Sequence, residues 1–332
     1  MIALGIETSC DETSCALVED GRVILSNTVA SSLRLHKKYK GVIPEIASRA
    51  HIEYISLVLA EALRNSAKKI TDIDLVCVTK GPGLVGSLLV GISFAKALSF
   101  SLNKPLIGVN HLEAHLYASF LGKNRPSFPF AGLVVSGGHT GLFLADRNFH
   151  FKAIGSTSDD AAGEAFDKVA KILDAGYPGG PVIERMANKG DARRIRFSCN
   201  GPEGLDFSFS GIKTAVLYTV RNAQRKTPAC PAGRQDANDI AAGFQKAVVN
   251  TLVEKSLLAC RLHKINTLVV GGGVAANGYL RRRLTEEANA AKVKVYFPQN
   301  SLSLDNAAMI AGLGYQLFRQ GKKSDYYLTV EI

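Results

Sequence analysis

The sequence predicts an α/β protein built from two related lobes that face a central cleft. Predicted strands and helices alternate along the chain, one strand-and-helix unit occurs twice, and glycine-rich loops follow several strands. At 332 residues the chain exceeds one ordinary core, which favours two domains. We expect an N-terminal lobe at residues 1–125, with a C-terminal helix at 305–320 packing back toward it, and a C-terminal lobe at 126–304.

The repeated unit consists of three strands followed by a helix. Apolar runs between turn residues predict strands at 2–7, 14–18 and 23–29 with a helix at 46–66, then strands at 130–135, 142–145 and 149–154 with a helix at 159–173. In both copies the first turn is small and hydroxyl-rich, so we interpret the unit as a weak internal duplication. The same patterns predict further strands at 74–79, 104–109 and 266–270, and helices at 86–101, 277–288 and 306–319.

Two histidines at helical spacing form the most informative motif. If a helix begins at Asn110, His111 and His115 lie four residues apart and share one face, where two imidazoles can bind one divalent cation. The zinc-protease motif would place glutamate directly after the first histidine, and that position holds Leu112. A helix surface or a hydrogen-bonded core pair remains the alternative to a metal site.

Asp305 is the best candidate for a third metal ligand. We expect it in the first turn of an apolar, alanine-rich helix, where a carboxylate could equally serve the helix dipole. The sequence alone does not bring residues 115 and 305 together.

Four loops concentrate glycine at the ends of strands or the starts of helices. Without Cβ atoms, such loops can approach a ligand closely and direct backbone N–H groups at phosphate oxygens. They span residues 81–86, 136–140, 177–181 and 271–277. None has Walker A spacing, yet their number favours a nucleotide site. Asp160, Glu164 and Asp167 are spaced for one helical face that could receive substrate hydroxyls, or that could simply be solvated.

The charge balance favours a polyanionic partner. The chain has 40 basic and 29 acidic residues, a formal net charge of +11. Nucleic acid leads the possible partners, and solubility alone is the alternative. The basic clusters lie at residues 34–40, 68–69, 193–196, 281–283 and 322–323.

Other features indicate an ordinary cytosolic protein. The six cysteines contain no Cys-x-x-Cys pair, which fits a reduced compartment. Residues 1–7 are mostly apolar, contain no basic residue and end in Glu7, a pattern that predicts a first strand rather than a signal peptide. We expect no membrane-spanning segment, because Lys, His or Asn interrupts every apolar run. Residues 222–238 are polar and basic, and we expect an exposed loop between two helices there.

Several of these segments together resemble one family over essentially the whole chain. The matching segments lie at residues 5–13, 44–51, 82–96, 96–116, 135–140, 159–168, 177–181, 207–214 and 272–277. They are similar to the tRNA threonylcarbamoyladenosine biosynthesis transferases called TsaD in bacteria, once described as O-sialoglycoprotein endopeptidases. That family has the fold of the sugar kinase/actin/Hsp70-like (ASKHA) superfamily.

The resemblance implies a reaction that the residues alone do not show. A threonylcarbamoyl group would pass from threonylcarbamoyl-AMP to the exocyclic amine of the adenosine directly 3′ of the anticodon (adenosine 37), in tRNAs reading codons that begin with A. It also implies one metal ion on His111, His115 and Asp305, iron in the usual assignment, although zinc or manganese suits the same donors. The implied substrate-binding residues are Val134, Val135, Ser136, Gly137, Gly138, Asp167, Gly180, Glu184 and Asn277.

The resemblance also implies partners and a location. The enzyme would meet the tRNA anticodon arm and work in the cytoplasm, away from the membrane, with a paralogous TsaB-like dimer partner and a small TsaE-like ATPase. Three other functions stay open from the sequence: a metallopeptidase, a non-catalytic ASKHA-fold scaffold, and a small-molecule kinase of the same superfamily.

Overall fold

The computed structural model describes residues 1–199, 201–226 and 234–331. Within them, the strands are β1 (Ile2–Glu7), β2 (Glu12–Glu19), β3 (Val23–Ser31), β4 (Leu75–Gly81), β5 (Leu106–Asn110), β6 (Phe130–Val135), β7 (Thr140–Ala145), β8 (Phe151–Ser156), β9 (Thr267–Gly271) and β10 (Lys294–Tyr296). The helices are α1 (Leu33–His36), α2 (Pro44–Asn65), α3 (Val85–Leu102), α4 (His111–Tyr117), α5 (Ala162–Ile172), α6 (Gly179–Ala187), α7 (Ser210–Lys226), α8 (Arg234–Leu262), α9 (Gly278–Ala290) and α10 (Ala307–Arg319).

The chain divides into two compact units. The first contains Met1–Arg125 together with Pro298–Ile332, and the second contains Pro126–Phe297. Residues 298–304, which we expected in the C-terminal lobe, therefore group with the first unit.

Each unit contains one five-stranded mixed sheet, and the two sheets share one topology. The strand order is β3-β2-β1-β4-β5 in the first unit and β10-β9-β6-β7-β8 in the second. In both, an antiparallel three-stranded meander continues through its first strand into two parallel strands. The repeated unit and the α/β class predicted from the sequence are confirmed.

The first sheet is covered on both faces, which explains why every residue of β1 is buried. Because side chains alternate along a strand, Leu4 and Ile6 pack with Ile55 of α2 and Ile92 of α3, while Gly5 faces α10. A Cβ on Gly5 would overlap the carbonyl oxygen of Ala307 at the start of α10. Glycine at this position therefore lets α10 begin directly against β1.

The second unit has its own core around β6, α5 and α8. Phe166 and Phe244 meet edge to face there, with ring centroids 5.0 Å apart. Leu133 of β6 and Leu268 of β9 belong to the same cluster. This packing fixes the carboxyl ends of β6 and β9, where two of the glycine-rich loops begin.

Two sequence expectations need correction. α3 is by length and composition apolar enough to cross a membrane, so Lys96 does not interrupt its apolar run as we had expected; the helix packs on β4 and α2 of the first unit. The loop expected at 222–238 is partly helical, because α7 continues to Lys226 and α8 begins at Arg234. The remainder, residues 227–233, lies outside the described residues.

Candidate metal centre and nucleotide site

The histidine pair lies on α4, a short helix with a strong N-terminal cap. The side chain of Asn110 accepts hydrogen bonds from the backbone N–H groups of Leu112 (2.9 Å) and Glu113 (3.2 Å). His111 and His115 therefore occupy the first and fifth helical positions, and both rings are buried. Their centroids lie 4.5 Å apart at an interplanar angle of 72°, so the predicted shared face exists.

Asp305 lies beside both histidine rings. Its Oδ1 is 3.5 Å from Nε2 of His111 and 3.1 Å from Nε2 of His115. One ligand atom from each of the three residues lies within 4.8 Å of the others. The structure thus places Asp305 next to His115, a proximity that the sequence alone could not predict.

Asp305 is not in the first helical turn, as we had expected, but in the turn just before α10. Asn306 is the N-cap: its Oδ1 accepts from the N–H of Met309 at 3.2 Å, and its amide donates to the carbonyl of Leu304 at 2.8 Å. Asp305 therefore lies just before the helix and not in its first turn, where we had considered a role toward the helix dipole. Ser14 of β2 anchors the helix by accepting from the N–H of Ala307 at 2.9 Å.

His115 supplies the observation that best tests whether a metal ion fits. Among the described residues, Nδ1 of His115 has no hydrogen-bond partner, and Nε2 faces only the carboxylate of Asp305 at 3.1 Å without a well-formed hydrogen bond, although the side chain is fully buried. Buried polar atoms normally have partners, so an orphaned imidazole beside a carboxylate and a second imidazole fits a ligand for a divalent cation. The donor set fits several metals and identifies none of them.

Glu7, which the sequence analysis used only to exclude a signal peptide, orients His111. Its Oε2 lies 3.0 Å from Nδ1 of His111 and accepts from the hydroxyl of Thr79 at 2.6 Å, while its Oε1 accepts from the N–H of Ser9 at 2.5 Å. A carboxylate on the far nitrogen fixes the ring so that Nε2 faces Asp305. The sequence contained one indication of this role, an acidic residue at the end of an otherwise apolar strand.

The electrostatics of the centre favour a bound cation. Burial opposes charge on His111, but the carboxylates of Glu7 and Asp305 outweigh it and raise the pKa of His111 to about 9. Burial and the charge of His111 lower the pKa of His115, which keeps its ring neutral and able to bind a metal. Burial, together with the charges of Asp305 and Asp11, raises the pKa of Glu12 to about 9.

The second unit contains the predicted nucleotide-binding residues. Val134 and Val135 are fully buried in β6, so only their backbone atoms are available to a ligand. The following loop closes on itself, because the N–H of Ser136 donates to the carbonyl of His139 at 2.8 Å. Gly137 and Gly138 are exposed at its tip, and a Cβ on either would meet no atom within 4 Å. Open space therefore lies directly over this backbone.

Two other glycines shape that loop by close approach. A Cβ on Gly163, in the first turn of α5, would overlap the carbonyl oxygen of Ser136. Gly272, at φ +95°, lies equally close to the carbonyl oxygen of Val135. The backbones after β6 and β9 and at the start of α5 consequently meet at one place, outside the carboxyl ends of the strands, where α/β proteins bind ligands.

Asp167 contacts the start of α6. Its Oδ1 accepts from the N–H of Gly179 at 2.6 Å, next to Gly180, over which there is again open space. The expected row of three acids on one helical face does not exist, since Asp160 precedes α5 and binds Lys168 and Lys213 at 2.6 and 2.9 Å. Within the described residues, Asp167 contacts a glycine-rich loop, whereas Asp160 and Glu164 bind lysines.

Glu184 and Asn277 meet at the start of α9. Oε1 of Glu184 accepts from the N–H of Gly278 at 2.7 Å. Asn277 is the N-cap, accepting from the N–H of Leu280 at 2.9 Å and donating to the buried Gln245 at 3.0 Å. The structure thus gives Asn277 a stabilising role that the sequence analysis missed.

Comparison with known proteins agrees with this architecture. A model of the TsaD family, described as tRNA N6-adenosine threonylcarbamoyltransferase, matches residues 23–312. The protein of that name from Dictyoglomus turgidum is 52% identical over 331 residues, covering 99% of this chain and 97% of the relative. The one from Syntrophus aciditrophicus is 49% identical over 325 residues, covering 98% and 95%.

Solved structures of low identity share the fold. HypF of T. kodakarensis aligns with a TM-score of 0.63 at 14% identity, over 96% of this chain and 48% of its own. Component A of the (R)-2-hydroxyglutaryl-CoA dehydratase of Acidaminococcus fermentans aligns with a TM-score of 0.59 at 18% identity, over 97% and 100%.

Two α/β units of matching topology place the chain in the sugar kinase/actin/Hsp70-like fold class. The chain belongs to the TsaD family of tRNA N6-adenosine threonylcarbamoyltransferases. It is accordingly a transferase that modifies tRNA, and the homologues favour neither a peptidase nor a scaffold.

Proposed function

We propose that this chain transfers the threonylcarbamoyl group of threonylcarbamoyl-AMP to the exocyclic amine of adenosine 37, using one divalent metal ion held by His111, His115 and Asp305. The observation that carries the proposal is the meeting of these three side chains, whose ligand atoms lie within 4.8 Å of one another. Iron is our first choice for the metal, and zinc or manganese suits the same donors.

The donor is a mixed anhydride that is already activated, so the protein chiefly has to bind and orient it. A bound cation would supply a Lewis acid that stabilises negative charge developing on oxygen. No nucleophilic side chain is required. The thiol of Cys10, in the turn after β1, agrees with this. Burial and the charge of Asp11 raise its pKa well above the ordinary value, which disfavours the thiolate.

The first unit prepares the ligand set. Glu7 holds the proton of His111 on Nδ1 and leaves Nε2 to bind the metal, while His115 is neutral and needs no proton removed. Asp305 adds one carboxylate. Together with the negative charge of Glu7, it balances a divalent cation in a buried place.

The second unit would bind the nucleotide part of the donor. Backbone N–H groups at Gly137 and Gly138 can approach phosphate oxygens because no atom lies over them. We assign the carboxylates of Asp167 and Glu184 to the ribose hydroxyls, since each lies at a helix start beside a glycine. Asn277 would act by fixing the start of α9.

The proposal includes partners and a location. We propose that the protein works in the cytoplasm on the anticodon arm of tRNA, with a paralogous TsaB-like dimer partner and a small TsaE-like ATPase. The family match supports tRNA as the substrate.

The experiment combines the purified full chain, its partner proteins, threonylcarbamoyl-AMP and an unmodified tRNA that reads codons beginning with A. Mass spectrometry of the digested tRNA quantifies the modified nucleoside. We expect product that requires both donor and bound metal. The control is a related enzyme that forms product with the same partner proteins in the same assay. If that control is active and this chain forms no product, the proposal is contradicted. Metal-dependent cleavage of a glycoprotein would favour the peptidase instead.

A further inference from the structure

A strongly basic loop lies between β3 and α2, at residues 32–43. From residue 21 to residue 44 the chain has no acidic residue. Its exposed side chains include Arg34, Lys37 and Lys38, and the ion pairs among the described residues include none of these three. Tyr39 is 46% exposed, with Nζ of Lys38 4.9 Å from its ring centroid. The loop therefore presents cations and one aromatic ring to solvent.

His36 fixes the shape of this basic loop from inside. The ring is fully buried, its Nδ1 accepts from the N–H of Ile43 at 3.2 Å, and its Nε2 lies 3.1 Å from the hydroxyl oxygen of Ser32. Ser32 in turn donates its hydroxyl to the carbonyl of Asp11 at 2.9 Å. These bonds tie both ends of the loop together, so its charges are held in place before any partner binds.

The same bonds place the basic loop beside the metal centre of its own unit. The N–H of Ser32 also donates to the carbonyl of Asp11, and the hydroxyl of Ser31 donates to Glu12. Ser9, two residues before Asp11, places its hydroxyl oxygen 3.3 Å from Nδ1 of His111. The turn after β1 thus anchors the loop through Asp11 and contacts His111, one of the three candidate metal ligands, through Ser9.

We infer that the basic loop binds the sugar–phosphate backbone of the RNA substrate next to the reacting adenosine, with Tyr39 stacking on an unpaired base. The inference rests on the proposed function, because it assigns a surface to that RNA. Arg and Lys provide most phosphate contacts, and aromatic side chains recognise the splayed bases of RNA loops. An anionic membrane is less suited to this surface, since the loop adds only the 46%-exposed Leu35 as an aliphatic side chain for insertion.

The test measures binding of a fluorescent anticodon stem–loop RNA to the full chain at several salt concentrations. For the Lys37→Ala/Lys38→Ala variant we expect an affinity for the RNA about tenfold lower than that of the intact protein. The slope of log affinity against log salt concentration should become shallower by about 1 to 2. The matched control is Lys322→Ala/Lys323→Ala, which removes the same charge from an exposed pair in the same unit and should bind within about twofold of the intact protein. Tyr39→Ala should weaken binding about fivefold, whereas Tyr39→Phe should not.

Equal affinities for the two lysine variants, each verified as folded by thermal melting, would overturn the inference. So would a Lys37→Ala/Lys38→Ala variant that loses binding to anionic phospholipid vesicles while keeping its affinity for RNA. Product formation by the intact protein separates this inference from the proposed function. An active protein whose basic-loop variant binds RNA normally refutes only the inference, whereas an inactive protein that binds RNA through the loop refutes only the transfer reaction.

Discussion

The Nδ1 atom of His111 lies 3.0 Å from Oε2 of Glu7, although 104 residues separate the two in sequence. Glu7 ends the first strand and His111 begins a helix that follows the fifth. Burial favours a neutral carboxyl at Glu7, but the charge of His111 and hydrogen bonds from His111 and Ser9 outweigh it and lower the pKa of Glu7. The carboxylate is therefore charged and holds a proton on Nδ1 of His111.

Replacing Glu7 by Gln should weaken metal binding about 10- to 100-fold while the fold persists, because the amide keeps the shape but not the charge of the carboxylate. Competition with a chelator for Zn²⁺ or Mn²⁺ measures the affinity. Thr79→Val is the comparison variant: it removes one hydrogen bond to Glu7, at 2.6 Å, but keeps the charge. A Glu7→Gln protein that binds metal as tightly as the intact one would refute the orienting role.

Metal binding should release close to one proton near neutral pH. His111 is protonated in the metal-free protein because its pKa is about 9, whereas His115, with a lowered pKa, is neutral. Apparent metal affinity should therefore fall about tenfold for each pH unit below about 9, since a proton then competes for the ligand set. Calorimetry in buffers of different ionisation enthalpy counts the protons, and a count of zero would contradict the charged state of His111.

Two glycine substitutions should separate ligand binding from folding. Gly138→Ala adds a methyl group into open space, so the melting temperature should hold while affinity for the adenylate donor falls about tenfold or more. Gly163→Ala would force a Cβ into the carbonyl oxygen of Ser136 and should destabilise the fold by about 1–3 kcal/mol. Thermal melting and a titration with the donor are carried out on both variants. A Gly138→Ala protein that binds the donor as tightly as the intact protein would contradict the role of this loop in donor binding.

Asn277→Ala should lower the free energy of unfolding by about 1–2 kcal/mol, because it removes the N-cap of α9 and leaves the side-chain oxygen of Gln245 without its donor. Asn277→Asp keeps the capping oxygen but not the donor to Gln245, so it should lose less. Urea denaturation monitored by circular dichroism gives both values. Unchanged stability in Asn277→Ala would show that the cap does not hold α9.

The sequence predicted the repeated sheets and the histidine pair well, because both depend on local periodicity and on one N-cap, Asn110. The third ligand could not be derived in this way. Asp305 reaches the histidines only because α10 packs against β1 at Gly5, a long-range contact without a local signal. Its position was also misjudged, since Asn306 rather than Asp305 begins the helix.

Other differences have equally physical reasons. Glu7 was overlooked as a partner of His111 because one acid at a strand end does not reveal what lies across the sheet. Residues 224–226, Gln-Arg-Lys, favour helix despite their polarity, so α7 extends into the stretch expected as a loop. Asp160 was assigned to a helical face that begins only at Ala162.

The most direct test of the metal-centred account compares His115→Ala with His263→Ala, an exposed histidine of the second unit, in the transfer reaction. Bound metal and modified nucleoside are measured on the same samples. We predict that His115→Ala loses its metal and at least about 100-fold of its product, since one of three ligands is gone, while His263→Ala matches the intact protein. Full product from a metal-free His115→Ala protein would contradict the account.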